Sequence, residues 1–138
     1  MWGAANLIMD GLRSDDAFWY FQPWLIGQGQ PWHQRVADSP DNLADIPAIR
    51  ALAGRRPNQW ANAEWPQWEE LDYIASRVHD HVTGQENSIA DALAARGHRS
   101  RSVPAPTDPA WDFDSLTEIQ RRLPRLAGLF LRQQYLQA

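Results

Sequence analysis

The residues whose types and spacing could carry chemistry are acids set among aromatic rings. Asp15 and Asp16 stand directly before Ala17-Phe18-Trp19. Two carboxylates at a helix start ordinarily cap the helix and offset its dipole. Ser14 can already serve as the cap, which leaves one acid over. Beside bulky rings such an acid either finds a cation, Arg13 being the nearest, or is pushed up in pKa by burial and becomes a proton donor or hydrogen-bonding anchor. Asp112, between Trp111 and Phe113, repeats the theme. Glu70, Tyr73 and Arg77 are spaced to share one helix face and could line one side of a cleft. With Trp19 and Trp24 these residues form the candidate ligand site: Asp15, Asp16, Trp19, Trp24, Glu70, Tyr73, Trp111 and Asp112, with Asp112 facing Glu70 and Tyr73 from the opposite wall. Each has a plainer reading beside it. The aspartates would be helix-end electrostatics, Glu69, Glu70 and Asp72 a solvated face, and the tryptophans large knobs of a core.

Other chemistry finds little support. The chain has no cysteine, so thiolate catalysis, disulfides and zinc–sulfur sites are excluded. His79 and His81, two apart on a helix, point to nearly opposite sides and cannot share a metal. His33 and His98 have no ligand-spaced neighbour. A nucleophile elbow, a phosphate-cradling glycine loop and an H-E-x-x-H motif are all missing. No metal and no cofactor is expected, and whether the protein is an enzyme stays open. His98, Arg99 and Arg101 could hold an anion, or be a solvated arginine-bearing loop.

A net charge of −4 is distributed unevenly: residues 1–91 hold 13 acids against 6 arginines, residues 92–138 hold 4 against 7. Nucleic-acid binders concentrate more positive charge than this. Every cation is arginine, which a GC-rich codon usage explains as readily as a need for guanidinium groups. No apolar stretch is long enough to span a bilayer, and no basic segment precedes an apolar leader. A cytoplasmic protein without an anchor is expected. The eight tryptophans are the loudest signal in the composition, and each wants a partner for its indole N–H.

The elements that must position these residues are helices. Residues 2–12 carry apolar side chains near the 3.6 period, with Gly11 at the end. A second helix starts at Asp15, with Phe18, Phe21 and Leu25 as one stripe and Ala17, Tyr20 and Trp24 widening it. It should be central to the core. Pro23 predicts a kink or early break in it, and Gly27 and Gly29 end it. A short helix over 31–37 begins on Pro31. Residues 38–65 read as irregular loop with one short helix over 46–52. Another helix runs from 66 to 82, where Trp68, Leu71, Ala75, Val78 and Val82 make a narrow apolar seam facing the core, and Thr83-Gly84 stops it. After a short helix over 88–96 comes a second irregular loop, about 98–114. Ser115 and Glu118 form a capping box for the last helix, which Pro124 kinks. The expectation is an all-α single domain over 1–138, a helical bundle of five to seven helices without strands, with the helices that begin at Asp15 and Pro66 packed together at its centre.

Several of these segments resemble a known bacterial family. Trp2-Gly3-Ala4-Ala5, Ile8, Gly11, Ser14-Asp15-Asp16-Ala17-Phe18, Tyr20-Phe21 and Trp24-Leu25-Ile26-Gly27-Gln28-Gly29 are similar to the W-A-A-x-x-I-x-x-G-x-S-D-D-x-F-x-Y-F-x-x-W-L-I-x-x-G pattern of domain-of-unknown-function family 4240. The helix from Glu69-Glu70-Leu71 to Thr83-Gly84 resembles the family too, as does the tail from Trp111-Asp112-Phe113 into Arg121-Arg122-Leu123-Pro124-Arg125-Leu126. The resemblance implies a fold and no activity. Members usually carry helical sequence ahead of the Trp-Ala-Ala motif, here at residue 2, and they do not require proline where Pro23 stands. A missing upstream helix would expose Trp2, Ile8 and their neighbours, and such a face would seek a second copy or another partner.

Three functions from different classes remain. The favoured one is a protein-interaction or regulatory module, from the negative charge, the aromatics and the incomplete catalytic sets. The alternative is a small-molecule binder or small enzyme using Asp15, Asp16 or Asp112 in a tryptophan-lined pocket. Nucleic-acid recognition through the arginine-rich second half is third, and the overall charge argues against it.

Overall fold

The computed structural model describes residues 1–11, 15–98 and 109–135, and these are helical, with no strand among them. They form eight α-helices: α1 (Trp2–Ile8), α2 (Asp15–Gly27), α3 (Gln30–Asp38), α4 (Pro47–Leu52), α5 (Glu69–Thr83), α6 (Ile89–Ala95), α7 (Leu116–Arg122) and α8 (Pro124–Tyr135). Three 3-10 helices, Pro40–Asp45, Pro57–Gln59 and Asn62–Glu64, lie between α3 and α5.

Helix α1 is shorter than its periodicity suggests, because the chain turns left-handed after Met9. Asp10 has φ 54° and Gly11 φ 91°. The Gly11 N–H donates to Asn6 O at 2.8 Å and Asp10 N–H to Leu7 O at 3.5 Å, the pair of bonds that satisfies carbonyls left over at a helix end. Helix α2 is the central element, as its stripe requires: Phe18, Phe21 and Leu25 are buried. It runs through Pro23 without a break. An aromatic series follows its inner face, with Trp2 stacked on Phe18 (4.4 Å between centroids), Phe18 on Phe21 (6.3 Å) and Phe21 against Trp24 (5.6 Å).

The rest of the core comes from α1, α8, single residues of α3 (Val36) and α7 (Ile119), and the segment expected to be loop with one short helix. Leu43, Ala44, Ile46, Ile49 and Leu52 are all buried. The expected short helix is there as α4, and the rest of the region 38–65 is not an irregular connection: it adds three 3-10 helices, two of them begun by a proline, Pro40 and Pro57. Its anchor is Asp41, only 7% exposed. The Asp41 carboxylate accepts the backbone N–H groups of Arg125 (3.1 Å) and Leu126 (3.0 Å) in the first turn of α8. Asp45 pairs with Arg35 of α3 at 2.8 Å and with Arg125 of α8, and these arginines, Arg125 foremost, hold its carboxyl below the usual carboxylate range.

Two expectations need correction. The helix after Pro66 is not at the centre. Its first turn begins at Glu69, it buries no residue fully, and Ile74, Val78 and Val82 are 51%, 58% and 77% exposed. It packs on α2 at one end and on α6 at the other. The apolar seam is real, but α6 covers its outer half only in part: Val78 and Val82 line an open groove with Ile89, Ala92 and Leu93. Conversely, Trp2 and Ile8 are not an open face: Ile8 is 1% exposed and Trp2 lies on Phe18. Near the C-terminus Pro124 does more than kink a helix. It ends α7 and occupies the first position of α8, where its missing N–H costs nothing. The Ser115 cap forms by one bond, Oγ accepting from Glu118 N–H at 3.4 Å. The Glu118 side chain turns instead to Arg121 and Arg122, both at 2.8 Å, which bring its pKa down to about 2.

Candidate functional site

The junction of α2 and α5 is where the tryptophan and carboxylate theme becomes geometry. Trp68, the residue before α5, donates its backbone N–H to Tyr20 O at 3.0 Å. Its ring lies against Gly27, where a Cβ would come within 2.6 Å of the Trp68 ring. The small residue at the end of α2 thus lets the two helices close on each other. One turn into α5, the Trp19 indole N–H donates to Asp72 Oδ2 at 2.6 Å. The Tyr20 hydroxyl donates to Glu69 Oε1 at 3.1 Å, the Tyr73 hydroxyl reaches the same oxygen at 3.3 Å, and the two phenols are 3.3 Å apart. The bond with Tyr73, then partial burial and the Glu69 carboxylate, raise the Tyr20 pKa well above the ordinary phenol range. The Tyr20 hydroxyl is thus held protonated, as the donor to Glu69.

Between the helices lies a groove of about 360 Å³, lined by Trp19, Gln22, Pro23, Ile26, Leu71 and Asp72. Its walls are an aromatic ring, aliphatic surface, one amide and one carboxylate. A larger concavity, about 420 Å³, lies by Met9, Ala17, Pro57 and Trp65 and holds both Asp10 and Arg56. Among the described residues, no group of three or more His, Asp or Glu side chains could hold a metal ion.

The expected site residues divide among three places. Trp19 and Tyr73 come together on the α2–α5 junction, while Glu70 is exposed on α5. Trp24 is half-buried and packs into the core beside Phe21. Trp111 belongs to another junction: it lies over Gly3, where a Cβ would approach its ring to 2.2 Å, meets Phe113 edge-on at 4.7 Å, and carries the Arg122 guanidinium at 5.3 Å. Asp112 accepts from Asp114 N–H at 2.9 Å in a turn. Asp112 is thus positioned with α1 and α7, whereas Tyr73 is positioned with α2, and the two are not facing walls of one cleft. Asp16 is exposed on the first turn of α2. The side chain of Asp15, with Arg13, Ser14, Arg99 and Arg101, lies outside the described residues.

Asp72, Glu69 and Tyr20 are the members that sequence reasoning passed over. Glu69 and Asp72 sit three apart, one turn, and this spacing was the available signal. Their partners on α2 are 49 and 53 residues away, so local pattern alone places them on a solvated face.

An all-α arrangement with this α2–α5 groove defines a helical domain with a partly open aromatic face. The chain matches the family described as "Protein of unknown function (DUF4240)" over residues 1–81, and it belongs to that family. The match includes α1, α2, both walls of the groove and most of α5, and stops before the tail at 111–126. No curated protein and no solved structure matches it. No helix among the described residues is long and apolar enough to cross a membrane.

Proposed function

We propose that this chain is a protein-interaction or regulatory module that docks through α5 and the adjoining end of α2. One observation carries the reading. Of the seven large hydrophobic side chains exposed among the described residues, six lie there: Ile26, Trp68, Tyr73, Ile74, Val78 and Val82. Scattered exposed apolar residues are normal, but a set gathered on one helix and the adjoining end of its neighbour marks an interaction surface. Ile74, Val78 and Val82, four residues apart, form the narrow stripe that a helix offers to a partner. The cytoplasmic, bacterial setting expected from composition and resemblance belongs to the same proposal.

The test is capture of partners by the immobilised chain, compared with a variant carrying Ile74→Asp and Val78→Asp. Both positions are more than half exposed, so melting should move little. Proteins retained by the parent and lost by the variant support the module. Identical retention by both removes it.

The concave groove with Trp19 and Asp72 favours a second reading, a small-molecule site. A ligand at 100 times its Kd stabilises the native state by about 2.7 kcal/mol. A metabolite screen by thermal shift, repeated on Trp19→Ala, reads this out. A shift that persists in the variant places the ligand elsewhere.

A further inference from the structure

The α2–α5 groove also says what chemistry its occupant has, and this step rests on the interaction-module reading. The groove is mostly apolar: Pro23 and Ile26 of α2 and Leu71 of α5 line it, and Ile26 is 59% exposed. Its polar members are Gln22 and Asp72, and the partner of Asp72 is the neutral Trp19 indole. The neighbouring Glu69 likewise accepts from the neutral hydroxyls of Tyr20 and Tyr73. Three carboxylates elsewhere in the fold are matched by the chain's own arginines: Asp45 by Arg35 and Arg125, Glu64 by Arg55, Glu118 by Arg121 and Arg122.

The sequence accounts for the difference. Residues 15–34 and 57–76, which build both walls, contain acids and no arginine or lysine. The groove is therefore lined by a carboxylate and no cation, the first arginine beyond it on α5 being Arg77, whereas the lining of the larger concavity has both Arg56 and Asp10. A low-dielectric wall beside a carboxylate attracts the opposite charge. The Trp19 ring, fixed by its bond to Asp72, adds an electron-rich face. A long cationic side chain suits all three features: its aliphatic stem lies on Pro23, Ile26 and Leu71, and its head meets the ring and the carboxylate.

The geometry points to a basic polypeptide segment as the partner, seated with an arginine or lysine side chain in the Trp19–Asp72 groove and apolar side chains along Ile26 and the exposed stripe of α5.

The experiment is fluorescence anisotropy with the full chain and a labelled peptide of alternating leucine and arginine, set against the same peptide with every arginine replaced by its neutral isostere citrulline. The arginine peptide should bind, and its affinity should fall as salt rises from about 50 to 300 mM. Asp72→Asn keeps an acceptor for the Trp19 N–H and should raise Kd about tenfold or more. Ile26→Ala, on an exposed side chain, should weaken binding several-fold without changing the melt. Asp91→Asn, on exposed α6, should leave Kd unchanged. Equal binding of the citrulline peptide, equal loss for Asp72→Asn and Asp91→Asn, or no binding at low salt would each overturn the cationic occupant. The module reading fails separately. If Ile74→Asp with Val78→Asp still abolishes capture while the arginine peptide is ignored, the docking face stands and only its partner's chemistry is wrong.

Discussion

Asp41 and Leu126 are 85 positions apart, yet the Asp41 carboxylate accepts the Leu126 backbone N–H at 3.0 Å. Helix α8 begins on Pro124 after Leu123, neither of which can cap it with a side chain. The free amides of its first turn are satisfied from a 3-10 helix early in the chain, and a negative charge there also suits the positive end of the helix. This one side chain ties the end of the chain to its middle.

Asp41→Ala should therefore destabilise the protein beyond an ordinary cap loss, by about 2–3 kcal/mol, because it strands two amides in a buried place. Asp41→Asn keeps one acceptor oxygen and should recover part of that. Urea denaturation of the three proteins measures it. An Ala variant within about 0.5 kcal/mol of the parent would show that the α8 amides find another acceptor.

Gly27→Ala tests the close approach at the α2–α5 junction. The added methyl would lie 2.6 Å from Cζ3 and 2.7 Å from Cε3 of Trp68. Trp68 is 42% exposed and can swing away, so the stability cost should stay near the low end of the 1–3 kcal/mol typical of overpacking. The larger effect should be on near-ultraviolet circular dichroism, from a displaced indole, and on any ligand of the groove. An unchanged aromatic spectrum would place Trp68 elsewhere in solution.

Acid titration should expose the arginine-matched glutamates. Arg55, with the Ala61 amide, brings Glu64 from the ordinary 4.5 down to about 2. A carboxyl with a depressed folded pKa adds stability that is complete above its unfolded pKa. That stability is lost as pH falls toward the folded value, because the unfolded chain binds the proton first. The difference in melting temperature between the parent and Glu64→Gln should be constant above about pH 4.5 and shrink toward zero near pH 2. A difference that survives at pH 2 would assign the effect to packing and not to charge.

How much of this was legible in the sequence follows from where each partner sits. Phe18, Phe21 and Leu25 were readable as core because their period and their hydrophobicity agree, and α2 is buried on that face. The Pro31 and Ser115 helix starts and the Gly84 stop, with φ 68°, are local chemistry and were visible for the same reason. Asp41 was not, since Pro40-Asp41-Asn42 reads locally as a turn and the amides it caps lie beyond residue 120. The α5 seam misled in the opposite sense. Spacing shows that a helix has one apolar face, but whether anything covers that face depends on the rest of the fold. The candidate site was half visible: Trp19 and Tyr73 come from the expected set, while their carboxylate partners Asp72 and Glu69 emerge only when α5 is laid on α2.

That contrast between a covered and an uncovered apolar residue gives the sharpest test. Phe21 and Val82 both sit on apolar helix stripes, but Phe21 is 0% exposed and Val82 is 77% exposed. Phe21→Ala removes a ring from the middle of the aromatic series between Phe18 and Trp24. The lost transfer energy and the residual cavity together should amount to about 3–5 kcal/mol. Val82→Ala removes atoms already in water and should change stability by no more than about 0.5 kcal/mol. Leu71→Ala, half-buried against α2, should fall between them, at about 1–2 kcal/mol, scaled to its partial burial. Denaturant melts at equal protein concentration decide the order. If Val82→Ala costs as much as Leu71→Ala, the outer half of α5 is covered in solution by something bound to it, and the cost should then rise with protein concentration if that something is a second copy of the chain.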